Sequence, residues 1–284
     1  MRLLENWRDN SNTNKSIQKD LFMRNYAPNV GYYGERPFST NFMKNRKGST
    51  EDAIRSFIPK GKLNDKIWND NNKLKQEIRH ALLRLAHDFM KDVNLKENHI
   101  DDIVLTGSLA NFNWSEYSDY DLHIIVDLNK LSENTKLIKD YFDTKKARWN
   151  DEHDIEIYDY PVEIYVQSKE DAAYSTGVYS LIDNKWLVKP SGKNFNLDEP
   201  SVKNKADALM GEIDRMLRMK EPELALDKIE NFKQRLRNMR SSGLEKDGEY
   251  STENLAFKTL RRNGYIEKLN NFKNKMYDKK FSIE

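Results

Sequence analysis

Gly107-Ser108 is followed, after the ten residues 109–118, by Asp119-Tyr120-Asp121-Leu122 at the head of an apolar run. In a β-strand residues i and i+2 project from the same face, so the carboxylates of Asp119 and Asp121 converge on one point. Convergent carboxylates suit a hard divalent cation such as Mg²⁺ or Mn²⁺, which binds through one or two carboxylates together with substrate phosphates. The Gly107-Ser108 turn offers backbone N–H groups and a hydroxyl to those phosphates. Together these residues predict chemistry on a nucleoside triphosphate.

Each group also has a plainer reading. Ser118-Asp119-Tyr120-Asp121 alone fits a polar turn before a strand. The turn and the acids together, each with strand context, favour a transferase-type site. Ser108 also fits a helix N-cap, which is compatible with phosphate binding because a cap lies where an anion binds. His123 falls on the same strand face as Asp121. It would support that acid, sense the nucleotide, or be a hydrogen-bonded interior residue, and the last is preferred. Asp127 reads as a strand-end acid.

These residues need elements to hold them. Leu74, Ile78, Leu82, Leu85, Phe89 and Val93 recur at helical spacing and predict a helix over 70–94. Ile103-Val104-Leu105 is a short buried strand ending in the Gly107-Ser108 turn, and 108–113 is expected to start a helix whose N-terminus faces the phosphates. Leu122 to Leu128 is a strand and 132–148 a helix. Asp154 to Tyr158 and Val162 to Gln167 are two strands joined at Asp159-Tyr160-Pro161. Leu181-Ile182 and Trp186-Leu187-Val188 form a further small hairpin. From Asn196 the pattern is helical: one helix from Pro200, a second from Pro222 broken at Ser241-Ser242-Gly243, and a last one through Leu255 to Met276, weakened in its middle by Gly264.

The chain has 284 residues, 37% hydrophobic and 33% charged, with a net charge of +2 and no cysteine. The near-neutral balance means that any nucleic-acid contact needs a local basic patch. The lack of cysteine excludes disulfides, thiolate zinc sites and cysteine nucleophiles, and fits a reducing, cytoplasmic setting. No apolar run approaches membrane-spanning length and the N-terminus lacks a signal-peptide core. Residues 1–65 are rich in Asn, Arg, Lys and Ser with scattered aromatics, Pro and Gly. They read as an extended arm with one short helix near 14–24, which wraps the enzyme's own surface, bridges to another subunit or partner, or binds single-stranded nucleic acid.

Gly-Ser, a gap of about ten residues and Asp-x-Asp between apolar residues resemble the signature of the DNA polymerase β-like nucleotidyltransferase superfamily, in the flavour of the predicted nucleotidyltransferases of tailed phages. The resemblance covers roughly residues 70–190. It implies an α/β (α+β) fold: a small mixed sheet flanked by helices, with the extended N-terminal arm (1–65), a catalytic domain (66–195) and a C-terminal helical domain (196–284). It also implies an in-line displacement at the α-phosphorus with pyrophosphate leaving. The superfamily carries a third carboxylate on a later strand, flanked by apolar residues. Val162-Glu163-Ile164 matches, and Ile155-Glu156-Ile157 is a rival. Glu163 is preferred because its strand is longer and more apolar.

Cations are needed against the triphosphate. Arg215, Arg218, Lys233, Arg235, Arg237, Arg240, Lys258, Arg261 and Arg262 are candidates, with Arg261 and Arg262 favoured for nucleotide binding and a solvated helix face as the alternative. The aromatic insert 109–118 lacks the Arg-Gly pair of the antibiotic, antitoxin and cyclic-dinucleotide branches and would tilt base or acceptor selection. The expected activity is Mg²⁺- or Mn²⁺-dependent transfer of a nucleoside monophosphate from an NTP to a hydroxyl, an RNA 3′ end first, then a protein side chain or a nucleotide. The competing readings are a virion or complex component that keeps the fold without turnover, and a toxin that modifies host RNA or protein. A phage-encoded chain would act in the host cytoplasm.

Overall fold

A computed structural model describes residues 49–171, 177–190 and 197–283. The short helix expected near 14–24 lies outside them. The strands are β1 (Ile100–Thr106), β2 (Tyr120–Val126), β3 (Glu156–Ile157), β4 (Tyr160–Ser168), β5 (Val178–Ser180) and β6 (Lys185–Val188). The helices are α1 (Thr50–Arg55), α2 (Gln76–Asp92), α3 (Leu128–Leu131), α4 (Thr135–Glu152), α5 (Glu199–Met216), α6 (Pro222–Asp247), α7 (Thr252–Arg262) and α8 (Tyr265–Phe281).

The strands form one six-stranded mixed sheet in the order β3-β4-β2-β1-β5-β6. β2 and β4 run parallel, with α3, α4 and the hairpin strand β3 lying between them in the chain. The remaining neighbours are antiparallel. Alternation gives the sheet two unlike faces. Ile103, Leu105, Leu122, Ile124 and Ile164 share one buried core with Ile78, Leu82, Ala86 and Phe89 of α2. The opposite face carries the polar residues of the same strands, in the register Thr106↔Asp121, Asp121↔Glu163 and His123↔Tyr165. Helices α5 to α8 bury a separate core that includes Ala206, Ile213, Ile229, Phe232, Leu260 and Leu269. No described helix is long and apolar enough to cross a membrane.

Six local expectations change. Leu181-Ile182 lies in the β5–β6 turn, and the strand that pairs with β6 is Val178–Ser180. Residues 108–113 do not start a helix: only Ser108–Ala110 turn, as a 3-10 segment. The carbonyls that a helix would use there bond elsewhere, Leu109 O accepting from Trp68 Nε1 at 2.8 Å and Phe112 O from Lys60 N at 2.7 Å. The β3–β4 turn sits at Tyr158 and Asp159, both at positive φ (49° and 68°), as a two-residue type I′ hairpin favours. Helix α6 runs through Ser241-Ser242-Gly243 to Asp247. Gly243 is buried where a Cβ would lie 2.7 Å from both Glu253 Cβ and Ser251 Oγ, so it permits close approach of α6 to the start of α7 rather than a break. Gly264, at φ 72°, does not weaken one long helix; it separates α7 from α8. Thr50–Arg55, within the stretch read as an extended arm, is helical because Ser49 and Asp52 form a reciprocal capping box. Ile54 and Phe57 then bury against Val202 of α5 and Leu255 of α7.

Candidate functional site

The polar sheet face assembles the acids. Asp121 lies on β2 and pairs in parallel register with Glu163 on β4, while Asp119 precedes β2 by one residue and returns to the same face. Asp119, Asp121 and Glu163 each offer a carboxylate oxygen, and the three oxygens lie within 4.8 Å of one another. Asp121 is 6% exposed. Three carboxylates this close on a partly dry surface repel one another unless a cation lies between them. An all-oxygen donor set fits a hard divalent ion such as Mg²⁺ or Mn²⁺ and no soft metal. Glu156 sits on the edge strand β3, exposed, and is not in this cluster.

The glycine turn abuts Asp121. Gly107 adopts φ 76° and ψ −162°, a region that essentially only glycine occupies. A Cβ there would fall 1.9 Å from Asp121 Oδ2, so the turn needs glycine for its backbone and for the room it leaves the carboxylate. Ser108 does not cap a helix. Its hydroxyl donates to Ser118 Oγ at 2.7 Å, and Ser118 Oγ also accepts from Ser115 N at 2.9 Å. The two ends of the insert are thus tied together beside the acids, which gives the ten-residue gap a physical reason. Trp114 and Phe112 of the insert are engaged elsewhere. Trp114 Nε1 donates to Lys62 O at 2.8 Å, and Phe112 packs against the sheet core.

Helix α7 brings cations to the cleft. Arg261 Nη2 lies 4.0 Å from Asp119 Oδ2, with both side chains largely buried. Arg262 points differently. Its guanidinium donates to Ala53 O at 3.0 Å and to the Ser56 hydroxyl, and lies 3.5 Å from Ser115 Oγ. It is also sandwiched between the rings of Phe57 at 4.1 Å and Tyr117 at 4.9 Å. Arg262 therefore fastens α7 to α1 and to the insert. Burial, and secondarily Arg261, press its pKa down to about 9, still charged at neutral pH. Arg235 and Arg237 pair within the bundle, with Glu212 at 2.5 Å and Glu230 at 3.5 Å.

Two residues outside the sequence reading, Glu249 and Tyr165, belong to this neighbourhood, as does Lys258, which that reading named only within a group. Lys258 was one of a group of bundle cations with nothing to distinguish it. It is half-buried by area, yet burial, opposed by Glu249 and reinforced by Arg262, Arg261 and Arg240, pushes its ammonium down to about 8. Glu249, in the turn between α6 and α7, accepts from Asn111 Nδ2 and Asn113 Nδ2, both at 3.2 Å, and so latches the bundle to the insert. Nothing local in the sequence marks that contact. Tyr165 donates its phenol hydrogen to Glu163 Oε2. Its signal was available, since i+2 alternation puts it on the acid's own face. His123 takes the interior reading, stacked on Tyr165 at 4.7 Å and bonded through Nδ1 to Gln167 Oε1 at 2.6 Å. Asp127 caps the short helix α3 and pairs with Lys169, which holds its carboxyl below the usual range.

No protein-family model matches the chain, and no curated protein does. Among solved structures the chain is similar to a STING-associated CdnE c-di-GMP synthase from Capnocytophaga granulosa, at 13% identity over 98% of each chain and a TM-score of 0.19. At that TM-score the likeness carries no argument about fold or chemistry, both of which rest on the residues themselves.

Proposed function

We propose that this chain is a divalent-metal-dependent nucleotidyltransferase that moves a nucleoside monophosphate from an NTP to a hydroxyl. The observation that carries the reading is the juxtaposition of Asp119, Asp121 and Glu163 on one sheet face against a glycine turn built around the Asp121 carboxylate. Asp119, Asp121 and Glu163 would hold Mg²⁺ or Mn²⁺. When bound, such an ion supplies charge neutralisation at the entering and leaving oxygens. The Gly107 and Ser108 turn receives phosphate through backbone N–H groups and the Ser108 hydroxyl, which exchanges Ser118 for the ligand. Arg261 and Lys258 face the polyphosphate from α7, and Arg262 holds that helix in place. Glu163 takes the proton of the attacking hydroxyl. The new O–Pα bond forms as the bond from Pα to the bridging oxygen breaks, and pyrophosphate leaves with the electron pair.

We read residues 66–195 as the catalytic domain and 196–284 as a helical domain that closes the cleft, with Thr50–Arg55 packed on that helical domain. An RNA 3′ end is the favoured acceptor, supported by the cations bunched on α7 and by the basic, aromatic composition of residues 1–65.

The test is transfer of α-phosphate label from ATP, CTP, GTP and UTP, with Mg²⁺ or Mn²⁺, into RNA, protein and small-molecule pools. Label should enter RNA and disappear in the Asp119→Ala/Asp121→Ala protein. Label in protein or small molecules alone would keep the reaction and replace the acceptor. No label in any pool, from folded protein, would refute the enzyme and leave a structural component.

A further inference from the structure

The site described above accounts for the three acids, but it does not account for the column of side chains that continues from them along the same sheet face. Tyr165 is 9% exposed, and a phenol buried to that degree needs a hydrogen-bond partner. That partner is the carboxylate of Glu163, two residues earlier on β4. The Tyr165 ring is fixed from two sides. His123 of β2 stacks on it at 4.7 Å and 23°, and the Lys146 ammonium of α4 lies 4.7 Å from its centroid. His123 is fixed in turn by Gln167 at 2.6 Å, and the Gln167 amide donates to the Asp171 carbonyl at 3.1 Å. Each member of the column holds the next, and its last contact falls on one oxygen of the third acid.

We infer that Tyr165 is a positioning residue for Glu163: it ties down Oε2 and leaves the other carboxylate oxygen to serve the metal site. The inference rests on the transferase reading for its role in turnover, and on the geometry alone for its role in ion binding. A glutamate has three rotatable bonds and loses considerable freedom when it is held in one geometry. An ordered hydroxyl on one of its oxygens meets that requirement before any ligand arrives. Groups that orient a metal ligand in this way typically change affinity or activity by about 10- to 100-fold when removed. The Tyr165→Phe substitution removes only the hydroxyl and leaves the ring for His123 and Lys146.

The experiment compares wild type, Y165F, E163Q and Y165F/E163Q. Mn²⁺ affinity is read from the paramagnetic signal of free Mn²⁺, and kcat and KM for the NTP from the transfer assay. Y165F should weaken Mn²⁺ binding by about tenfold or more and lower kcat by a similar factor, with KM for the NTP within about twofold of wild type. In the E163Q background, Y165F should change neither quantity. An equal loss from Y165F in both backgrounds would overturn the inference, because Tyr165 would then act through the fold. Unchanged Mn²⁺ affinity in Y165F, or Mn²⁺ binding that does not depend on Glu163, would also overturn it. Should Y165F fail to fold, Glu163→Asp withdraws the carboxylate from Tyr165 by one methylene and should reproduce the Mn²⁺ defect; wild-type affinity in E163D would refute the proposal. Glu163-dependent Mn²⁺ binding without transfer would sink the transferase reading alone. Silence of Y165F beside an inactive Asp119→Ala/Asp121→Ala control would sink this inference alone.

Discussion

Gly107→Ala separates two demands that the turn places on its glycine. The first is backbone strain. Gly107 sits at φ 76°, ψ −162°, a conformation that costs a non-glycine residue about 1–3 kcal/mol. Gly248 sits at nearly the same angles, φ 72° and ψ −157°, and a Cβ there meets nothing within 4 Å. Gly248→Ala therefore measures the strain by itself. The second demand is space. The Gly107 Cβ would lie 1.9 Å from Asp121 Oδ2 and 3.2 Å from Asp121 Cβ, so the carboxylate must retreat by about 1.5 Å to reach ordinary contact while its stem yields by a few tenths. An aspartate rotates at χ1 for little energy, so the extra stability cost of Gly107→Ala over Gly248→Ala should be only about 1 kcal/mol. The functional cost should be far larger, because displacing a reacting group by about 1 Å lowers the rate on the order of 100-fold. Urea denaturation of both variants gives the strain, and α-phosphate transfer with Mn²⁺ affinity gives the displacement. The reasoning is refuted if Gly107→Ala keeps activity and Mn²⁺ affinity within threefold of wild type, or if its activity loss is no greater than that of an equally destabilised Gly248→Ala.

The charges on α7 yield two more expectations. The Lys258 ammonium is pushed from 10.5 down to about 8 when the chain folds, so below pH 8 it is protonated in both states and its burial opposes folding in full. Between pH 8 and 10.5 the unfolded chain holds the proton that the folded one has released, and stability rises with pH. Lys258→Met should accordingly stabilise the protein at pH 7, by at most ~3 kcal/mol and by less to the extent that solvent reaches the half-buried side chain, and the gain should vanish above pH 10.5. Thermal unfolding across pH checks the window, and destabilisation at pH 7 would contradict it; the same variant should raise KM for the NTP. Arg262→Met takes the guanidinium donor from the Ala53 carbonyl and the Ser56 hydroxyl, which keep only the bond from that hydroxyl to that carbonyl, and removes the cation beside Phe57 and Tyr117, at a cost of about 1–3 kcal/mol. Arg262→Lys should not restore it, since an ammonium lacks the planar fork. An unchanged urea midpoint in either variant would refute the clasp.

What the sequence made legible follows short-range rules. Asp119 and Asp121 share a face because strands alternate, and Glu163 joins them because an acid between Val162 and Ile164 must face away from the core those residues enter. The α2 stripe was equally readable, since Ile78, Leu82 and Phe89 repeat at helical spacing and all three are buried. The failures lie where contact crosses the chain. Nothing in the sequence of the insert shows that Trp114 Nε1 donates to Lys62 O and that Phe112 O accepts from Lys60 N, about fifty residues upstream. Gly243 reads as a breaker because the closeness of Ser251 and Glu253, which makes it a packing glycine inside α6, is a tertiary fact. Arg261 and Arg262 read as a pair because adjacency in sequence hides a rotation of about 100° around a helix. That rotation sends one guanidinium towards Asp119 and the other under α1.

The distribution of charge argues for a ligand of mixed sign. A structural ion-pair network intersperses its charges so that each desolvated group has an opposite neighbour. Here the acids Asp119, Asp121 and Glu163 gather on the sheet, while on the bundle side the Lys258 pKa is pushed down by burial first and then by Arg262, Arg261 and Arg240. Arg261 Nη2 reaches across to Asp119 Oδ2 at 4.0 Å, a loose contact between the two groups. Glu249, the acid nearest Lys258 in effect, has its carboxylate bound by the amides of Asn111 and Asn113. Like charges held together in two partly dry clusters cost stability in the free protein, and neither a lone cation nor a lone anion offsets both clusters. On the proposed function a divalent ion carrying a polyphosphate would, because its positive end would meet the sheet and its negative end α7. The same arrangement gives the latch at Glu249 and the clasp at Arg262 a purpose, since both fix the separation between the two clusters to which such a ligand must be matched.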